Sequence, residues 1–148
     1  MPLSPCHTRT VNNMTLSIKV ISPAETLVDS LADEVILPST TGQLGILTDH
    51  VPLLTALDIG VLRYRANNQW QAIAVNGGFA EVEDNEVTVL VKSATSASEI
   101  DANSARQELA SAEQKLASIG DSDKQAKILA QQAVKTARAK VQATVPFP

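Results

Sequence analysis

Leu37-Pro38-Ser39-Thr40-Thr41-Gly42-Gln43-Leu44-Gly45-Ile46-Leu47-Thr48-Asp49-His50-Val51-Pro52-Leu53-Leu54-Thr55 decides how the rest of the chain is read. Two apolar runs are joined by a polar, glycine-containing turn, and a second turn follows at Thr48-Asp49-His50. Gly42 tolerates positive φ and the hydroxyls of Ser39, Thr40 and Thr41 can bond nearby backbone, so residues 39–42 read as a tight connection. Pro38 and Pro52 carry no N–H and belong at strand ends or sheet edges. The plain reading is two strands joined by a surface loop.

Outward from this stretch the apolar period is two. Leu16, Ile18 and Val20 alternate with Ser17 and Lys19, which is the pattern of a half-buried strand, and Ser22-Pro23 ends it. Short strands are then expected at Thr26–Asp29, Glu34–Leu37, Leu44–Leu47, Gly60–Arg65, Trp70–Val75, Gly78–Glu83 and Glu86–Val91. In Gly60–Arg65, Val61, Arg63 and Arg65 share one face while Leu62 and Tyr64 share the other. Asn67-Asn68 and Asp84-Asn85 are the hairpin turns, because Asn and Asp tolerate left-handed backbone. Many short strands with no helix between them indicate an antiparallel β-sandwich. Gly77-Gly78, between two expected strands, reads as a bulge or a close backbone approach. No Gly-Lys-Ser/Thr follows it, so it is no phosphate loop.

The polar segment Lys92–Glu99 reads as a connector. It divides a sandwich domain (14–95) from a helical part (96–148). Asp101 is placed to cap a helix. Ala102, Ala105, Leu109, Ala112, Leu116 and Ile119 recur at steps of three and four, forming one helical face. Gly120 stops that helix, Asp121-Ser122-Asp123 caps a second, and Ala126, Ala130, Ala133, Ala137 and Val141 form its stripe. Pro146 and Pro148 close the chain. The fold class is therefore a mostly β N-terminal domain, an antiparallel β-sandwich, plus a C-terminal α-helical hairpin. An alanine seam buries little apolar area, so the hairpin is expected to be the least stable part and able to change its docking.

Composition excludes several functions. The chain has 148 residues, 44% hydrophobic and 19% charged, a balance that suits a globular core. Aromatic residues make up 3% and the net charge is −4, which argues against stacking on single-stranded nucleic acid and against a phosphate-backbone binder. Cys6 is the only cysteine, so no internal disulfide forms, and beside His7 it makes no metal site. No apolar run reaches the length of a membrane span. The charge is uneven: residues 14–99 hold eleven acidic and four basic residues, while Lys124 to Pro148 hold five basic and no acidic ones. Such asymmetry suggests two parts with different partners, and a solvated helix face explains it equally. No nucleophile, paired-cysteine, zinc or calcium motif is present, and neither a cofactor nor a metal is expected. Glu81 and Glu83 share an exposed strand face and read as solvated carboxylates. His50, after a turn aspartate, reads as structural or interfacial. The chain is expected to be no enzyme by itself.

Several motifs in order carry a resemblance. Leu37–Leu47 and His50-Val51-Pro52-Leu53-Leu54-Thr55-Ala56, then Gly77-Gly78-Phe79-Ala80-Glu81-Val82, Asn85–Leu90 and the alanine-rich tail, resemble the epsilon subunit of F-type ATP synthases from Met14 to about Ala143. The flavour is nearest the cyanobacterial and plastid forms. That family usually begins near Met14, so residues 1–13 read as a disordered extension.

The resemblance implies a rotor subunit of the proton-translocating synthase. Its sandwich would link the gamma subunit to the membrane-embedded c-ring, and its hairpin would restrain ATP hydrolysis. Thr41, Gly42 and Gln43 match the loop that meets the c-ring, with His50 in the neighbouring turn. Ser22 and Thr55 match positions near gamma. Lys124, Lys127, Lys135, Arg138 and Lys140 lie in the regulatory hairpin and suit acidic surface on the alpha/beta catalytic head. The implied location is peripheral, on the thylakoid membrane, held there by the complex. Some bacterial relatives bind ATP at a motif that Ile100, Asp101 and Ala105 match here, but Ser104 stands where its arginine would. Losing that cation removes a phosphate partner, so ATP binding is not carried over. Thr136 stands where plastid relatives often carry Arg, which implies weaker inhibition. Two other readings compete: a free-standing sandwich module with a helical oligomerisation tail, and a small enzyme using Glu81, Glu83 or His50.

Overall fold

The computed structural model describes residues 15–145. The expected extension 1–13, the start at Met14 and the closing prolines 146 and 148 lie outside the described residues. Eight strands come first: β1 (Leu16–Ile21), β2 (Thr26–Ala32), β3 (Glu34–Ser39), β4 (Gly42–Ile46), β5 (Leu53–Ala66), β6 (Gln69–Glu83), β7 (Glu86–Val91) and β8 (Ala94–Ser96). A 3₁₀ turn, Ala97–Glu99, leads to α1 (Ala102–Ser118) and α2 (Lys124–Ala143).

The sheet order is β2-β1-β7-β6-β5-β3-β4, with β8 pairing β6. Two strands hold the layers together. The second half of β6 pairs β7, its first half pairs β8, and β5 meets β3 along its later residues. Each long strand therefore serves both layers of the sandwich. The layers enclose one core, in which Leu16, Ile18, Val20, Val35, Leu37, Ile46, Leu62 and Val89 have no exposed surface. No helical residue belongs to that core.

The sequence reading needs four corrections here. Trp70–Val75 and Gly78–Glu83 are halves of a single strand, β6. Backbone at Gly77 (φ 82°) and Gly78 (φ 151°) bends the strand without ending it, and the ladder to β5 skips one pair there and resumes in the same register. Gly60–Arg65 is likewise only the later part of β5. The sheet is not wholly antiparallel, because β1 runs parallel to β7. The segment read as a connector contributes β8. A period-two pattern detects faces, and a strand that passes from one layer to the other changes its face at the bend, which breaks the pattern.

Other local expectations hold. Asn67 and Asn68, and Asp84 and Asn85, all have positive φ and make the two-residue turns between β5 and β6 and between β6 and β7. Pro38 lies near the end of β3, where the ladder to β5 is irregular between Ile36 and Ser39, so its missing N–H costs no regular bond. Gly60 faces the Pro38 ring, and a Cβ there would lie 2.7 Å from Pro38 Cβ.

Both helices form as the spacing requires. On α1, Ala102, Ala105, Leu109, Ala112 and Leu116, with Ile119 at the C-cap, are the residues withdrawn from solvent. The Asp123 carboxylate accepts from the Ala126 N–H at 3.1 Å and caps α2. The stripe on α2 differs from expectation. Ala130 and Ala137 are buried, but Ala133 is exposed, and Val134, Ala139 and Ala143 are buried instead. α2 packs against two partners, α1 and the sandwich, and two contact faces do not reduce to one stripe.

Candidate functional site

Three features of the surface stand out. The first is an apolar patch on the sheet. In the ladder, Phe79 on β6 lies opposite Leu90 on β7 and Ala56 on β5, and Leu54 lies two pairs further along, on the same face. Leu54 is 70% exposed, Phe79 58% and Leu90 53%. Three large apolar side chains side by side in water mark an interaction surface. Ser22 and Thr55 are its neighbours along the backbone: Ser22 follows Ile21, which pairs with Leu90, and Thr55 follows Leu54 but pairs with the buried Ala80, on the other face of the sheet. Ser22 is engaged locally, accepting from the Glu25 N–H at 3.3 Å and donating to the Glu25 carbonyl at 3.2 Å. Phe79 also lines a cleft of about 620 Å³ with Leu129, Gln132, Ala133 and Thr136 of α2, so the patch reaches the hairpin.

The second feature is a pair of loops. Ser39, the single buried polar residue among those described, donates to the Gly42 carbonyl at 2.6 Å and accepts from the Thr41 N–H at 3.3 Å. These bonds hold the turn while Thr41, Gly42 and Gln43 remain exposed. Gly42 and Gln43 line a cleft with Arg63, Gln142 and Val145. His50 lies elsewhere, in a cleft with Asp49, Val51, Pro52, Asp84 and Asn85. Its Nδ1 sits 2.7 Å from the Val51 carbonyl, which only accepts and so takes the Nδ1 proton. The sequence reading grouped His50 with the 41–43 turn; the two line separate clefts.

The His50 loop is tied to the β6–β7 turn. The Asp49 N–H donates to Asn85 Oδ1 at 2.6 Å, and Asn85 Nδ2 reaches Asp49 Oδ1 at 3.4 Å. Asn85 also needs positive φ, which costs other side chains about 1–2 kcal/mol. Asn85→Ala is therefore expected to destabilise the chain by about 2 kcal/mol, adding a lost hydrogen bond of about 1 kcal/mol to that backbone cost. Denaturant unfolding checks the total, and faster amide exchange at Asp49 locates it. An unchanged Asp49 amide would show that the tie holds nothing in place.

The third feature is the docked hairpin. Ala139 and Ala143 of α2 pack on Val61 of β5 and Ala74 of β6, with Ile59, Ala72, Ala97 and Ile100 around them. The Arg63 guanidinium donates to the Gln142 carbonyl at 3.0 Å and the Val145 carbonyl at 3.4 Å. Partial burial lowers its pKa from the ordinary value. Lys135 meets Asp58 at 3.8 Å, and Thr136 approaches Asn76 at 3.5 Å. Lys140 bonds Glu108 at 3.3 Å and so joins the two helices, while Lys127 pairs with Asp121 at 2.8 Å. Lys124 and Arg138 are exposed and form no ion pair among the described residues.

Ile100, Asp101 and Ala105 serve the helix junction. Ile100 packs against the docking cluster, and Ala105 is buried in the α1 seam. Asp101 holds the N-cap position of α1, but its carboxylate does not make the expected cap bond to the helix backbone; it accepts from the Ser104 hydroxyl at 2.8 Å instead. That bond is the main cause of its lowered pKa. Ser104, at the position where some bacterial relatives carry arginine, thus bonds the carboxylate at the start of α1. Glu81 and Glu83 are both exposed, as expected for solvated carboxylates. No helix among the described residues is long and apolar enough to cross a membrane.

Comparison with known proteins agrees with this architecture. Residues 15–97 match the family described as ATP synthase, delta/epsilon chain, beta-sandwich domain. The ATP synthase epsilon chain of Synechococcus elongatus is 55% identical over 130 residues, covering 88% of this chain and 95% of the relative. That of Nostoc punctiforme is 57% identical over 132 residues, covering 88% and 96%. The fold is shared with a chain of the Euglena gracilis mitochondrial ATP synthase, at a TM-score of 0.75 and 20% identity, covering 88% of this chain and 81% of that one. A chain from the Tetrahymena thermophila mitochondrial ATP synthase central stalk and c-ring superposes with a TM-score of 0.58 at 17% identity, covering 88% and 96%. The chain belongs to the family of ATP synthase epsilon chains.

Proposed function

We propose that this chain is a non-catalytic rotor subunit, joining the gamma subunit to the c-ring through its sandwich and restraining ATP hydrolysis through its hairpin. The observation that carries the reading is the exposed patch of Leu54, Phe79 and Leu90 on a chain of this family. The patch is given to gamma, since the two positions assigned to gamma by resemblance, Ser22 and Thr55, are its neighbours along β1 and β5. The turn at Thr41, Gly42 and Gln43, together with His50, is given to the c-ring. Attachment to the membrane is peripheral, through the complex, and the thylakoid is its site as in a cyanobacterial or plastid synthase.

The hairpin bears the regulatory role. Lys124, Lys127, Lys135, Arg138 and Lys140 supply the positive surface for the alpha/beta head. Lys135 is held by Asp58 of the sandwich while the hairpin is docked, so it becomes available when the hairpin leaves; Lys140 is held by Glu108 within the hairpin itself. The alanine seam is already buried inside the hairpin, which leaves it little to offer as an oligomerisation tail.

The test is ATP hydrolysis by an epsilon-depleted cyanobacterial catalytic head. The whole chain is expected to bind and slow hydrolysis, and a version ending at Glu99 to bind without slowing it. That version keeps the complete sandwich core. If both slow hydrolysis equally, the hairpin is not the brake. If neither binds, the rotor reading fails and a free-standing module replaces it.

A further inference from the structure

α2 is fastened to the sandwich at its C-terminal end by an arginine from the sheet. Arg63 projects from the outward face of β5, next to Val61, and its guanidinium reaches the carbonyls of Gln142 and Val145, 79 and 82 residues away in sequence. The end of a helix carries the negative end of its dipole; here the Gln142 carbonyl already accepts from the Val145 N–H of the closing turn at 3.1 Å, and Val145 follows the helix. A forked cation suits this end, because it donates to two oxygens at once and compensates the dipole.

The rest of the docking surface is weak. Its buried part consists of Val61, Ala74, Ala139 and Ala143, which are small. Lys135 and Asp58 are 54% and 47% exposed at 3.8 Å, and such surface pairs contribute little. Thr136 to Asn76, at 3.5 Å, is at the limit of a hydrogen bond. Among the described contacts of α2 with the sandwich, the Arg63 contact alone combines charge, two acceptors and partial burial.

We propose that Arg63 is a clasp that sets the equilibrium between docked and released hairpin, by bonding the Gln142 and Val145 carbonyls at the C-terminal end of α2 only while the hairpin lies on β5 and β6. This goes beyond the regulatory reading, which assigns the hairpin a role without saying what holds it. Most of a helix's stability in a protein comes from its packed face, so opening of the clasp exposes the α2 amides to exchange.

The test is amide hydrogen exchange on the isolated full-length chain, comparing wild type with Arg63→Ala and Arg63→Lys. The α2 amides are expected to exchange about tenfold faster in Arg63→Ala, a factor that corresponds to about 1.4 kcal/mol. Amides of β1 and β7 are expected to be unchanged, and Arg63→Lys, which keeps the charge without the fork, to retain part of the protection. Unchanged α2 exchange overturns the proposal. So does an equal rise in β1, β7 and α2, which makes Arg63 a support of the sandwich. No synthase is needed, so failure here is distinct from failure of the rotor reading.

Discussion

Gly78→Ala is expected to cost at least about 4 kcal/mol, a large share of the roughly 5–15 kcal/mol that holds a domain of this size. Two effects add. Gly78 has φ 151°, a conformation that L side chains rarely adopt. A Cβ there would also overlap the Leu90 carbonyl oxygen and lie 2.9 Å from Val91 Cα. These are backbone atoms of β7, held by the ladder in which Gly78 pairs with Val91, so they cannot move aside as a flexible side chain would. Gly42→Ala is the control: its φ of 128° is strained, but a Cβ meets nothing within 4 Å. Chemical denaturation of both variants separates the effects. A Gly78→Ala midpoint close to that of Gly42→Ala would show that β7 yields easily and that the close approach is no constraint.

Phe79→Glu is expected to weaken binding to the epsilon-depleted catalytic head more than a hundredfold while leaving the isolated chain folded. The residue is 58% exposed, so its replacement removes little core contact. At the centre of a dry interface the same change takes away an aromatic anchor and buries an unpaired charge, and central anchors dominate binding energy. It lies opposite Leu90 in the sheet and diagonal to Leu54, at the middle of the patch. Titration calorimetry checks the affinity, and thermal unfolding checks the fold. Full affinity with an unchanged melting temperature would remove the patch from the gamma contact and, with it, the observation on which the proposed function rests.

The α1 seam and the β1 face show how much a regular period conveys. Leu16, Ile18 and Val20 were expected on one buried face and have no exposed surface. All six expected seam positions from Ala102 to Ile119 are withdrawn from solvent. Each element packs through one face, so one period describes it. β6 and α2 were read less well because each has two jobs. β6 belongs to both layers and bends at Gly77 and Gly78. α2 faces both α1 and the sheet, which puts Val134 inside and Ala133 outside.

The interaction surfaces were only partly legible. The turn residues Thr41, Gly42 and Gln43 announced themselves by composition, and the family resemblance rested on contiguous motifs. The Leu54–Phe79–Leu90 patch did not, because its members come from three strands and each looks like an ordinary strand residue. The Arg63 clasp left no trace in the local pattern, since its partners are backbone carbonyls 79 and 82 residues away.

By itself the sequence determined most of the strand faces, the two-residue turns, the two helices and the sandwich-plus-hairpin class, which follow from short-range physics: side-chain period, left-handed tolerance and orphan N–H groups. The family was legible from the resemblance of contiguous motifs. Only the tertiary structure decided that β5 and β6 bridge two layers, that three apolar residues meet on one open face, and that the hairpin lies on β5 and β6 with Arg63 at its end. Those facts depend on which distant surfaces meet when the chain closes its core, and no local period encodes that choice.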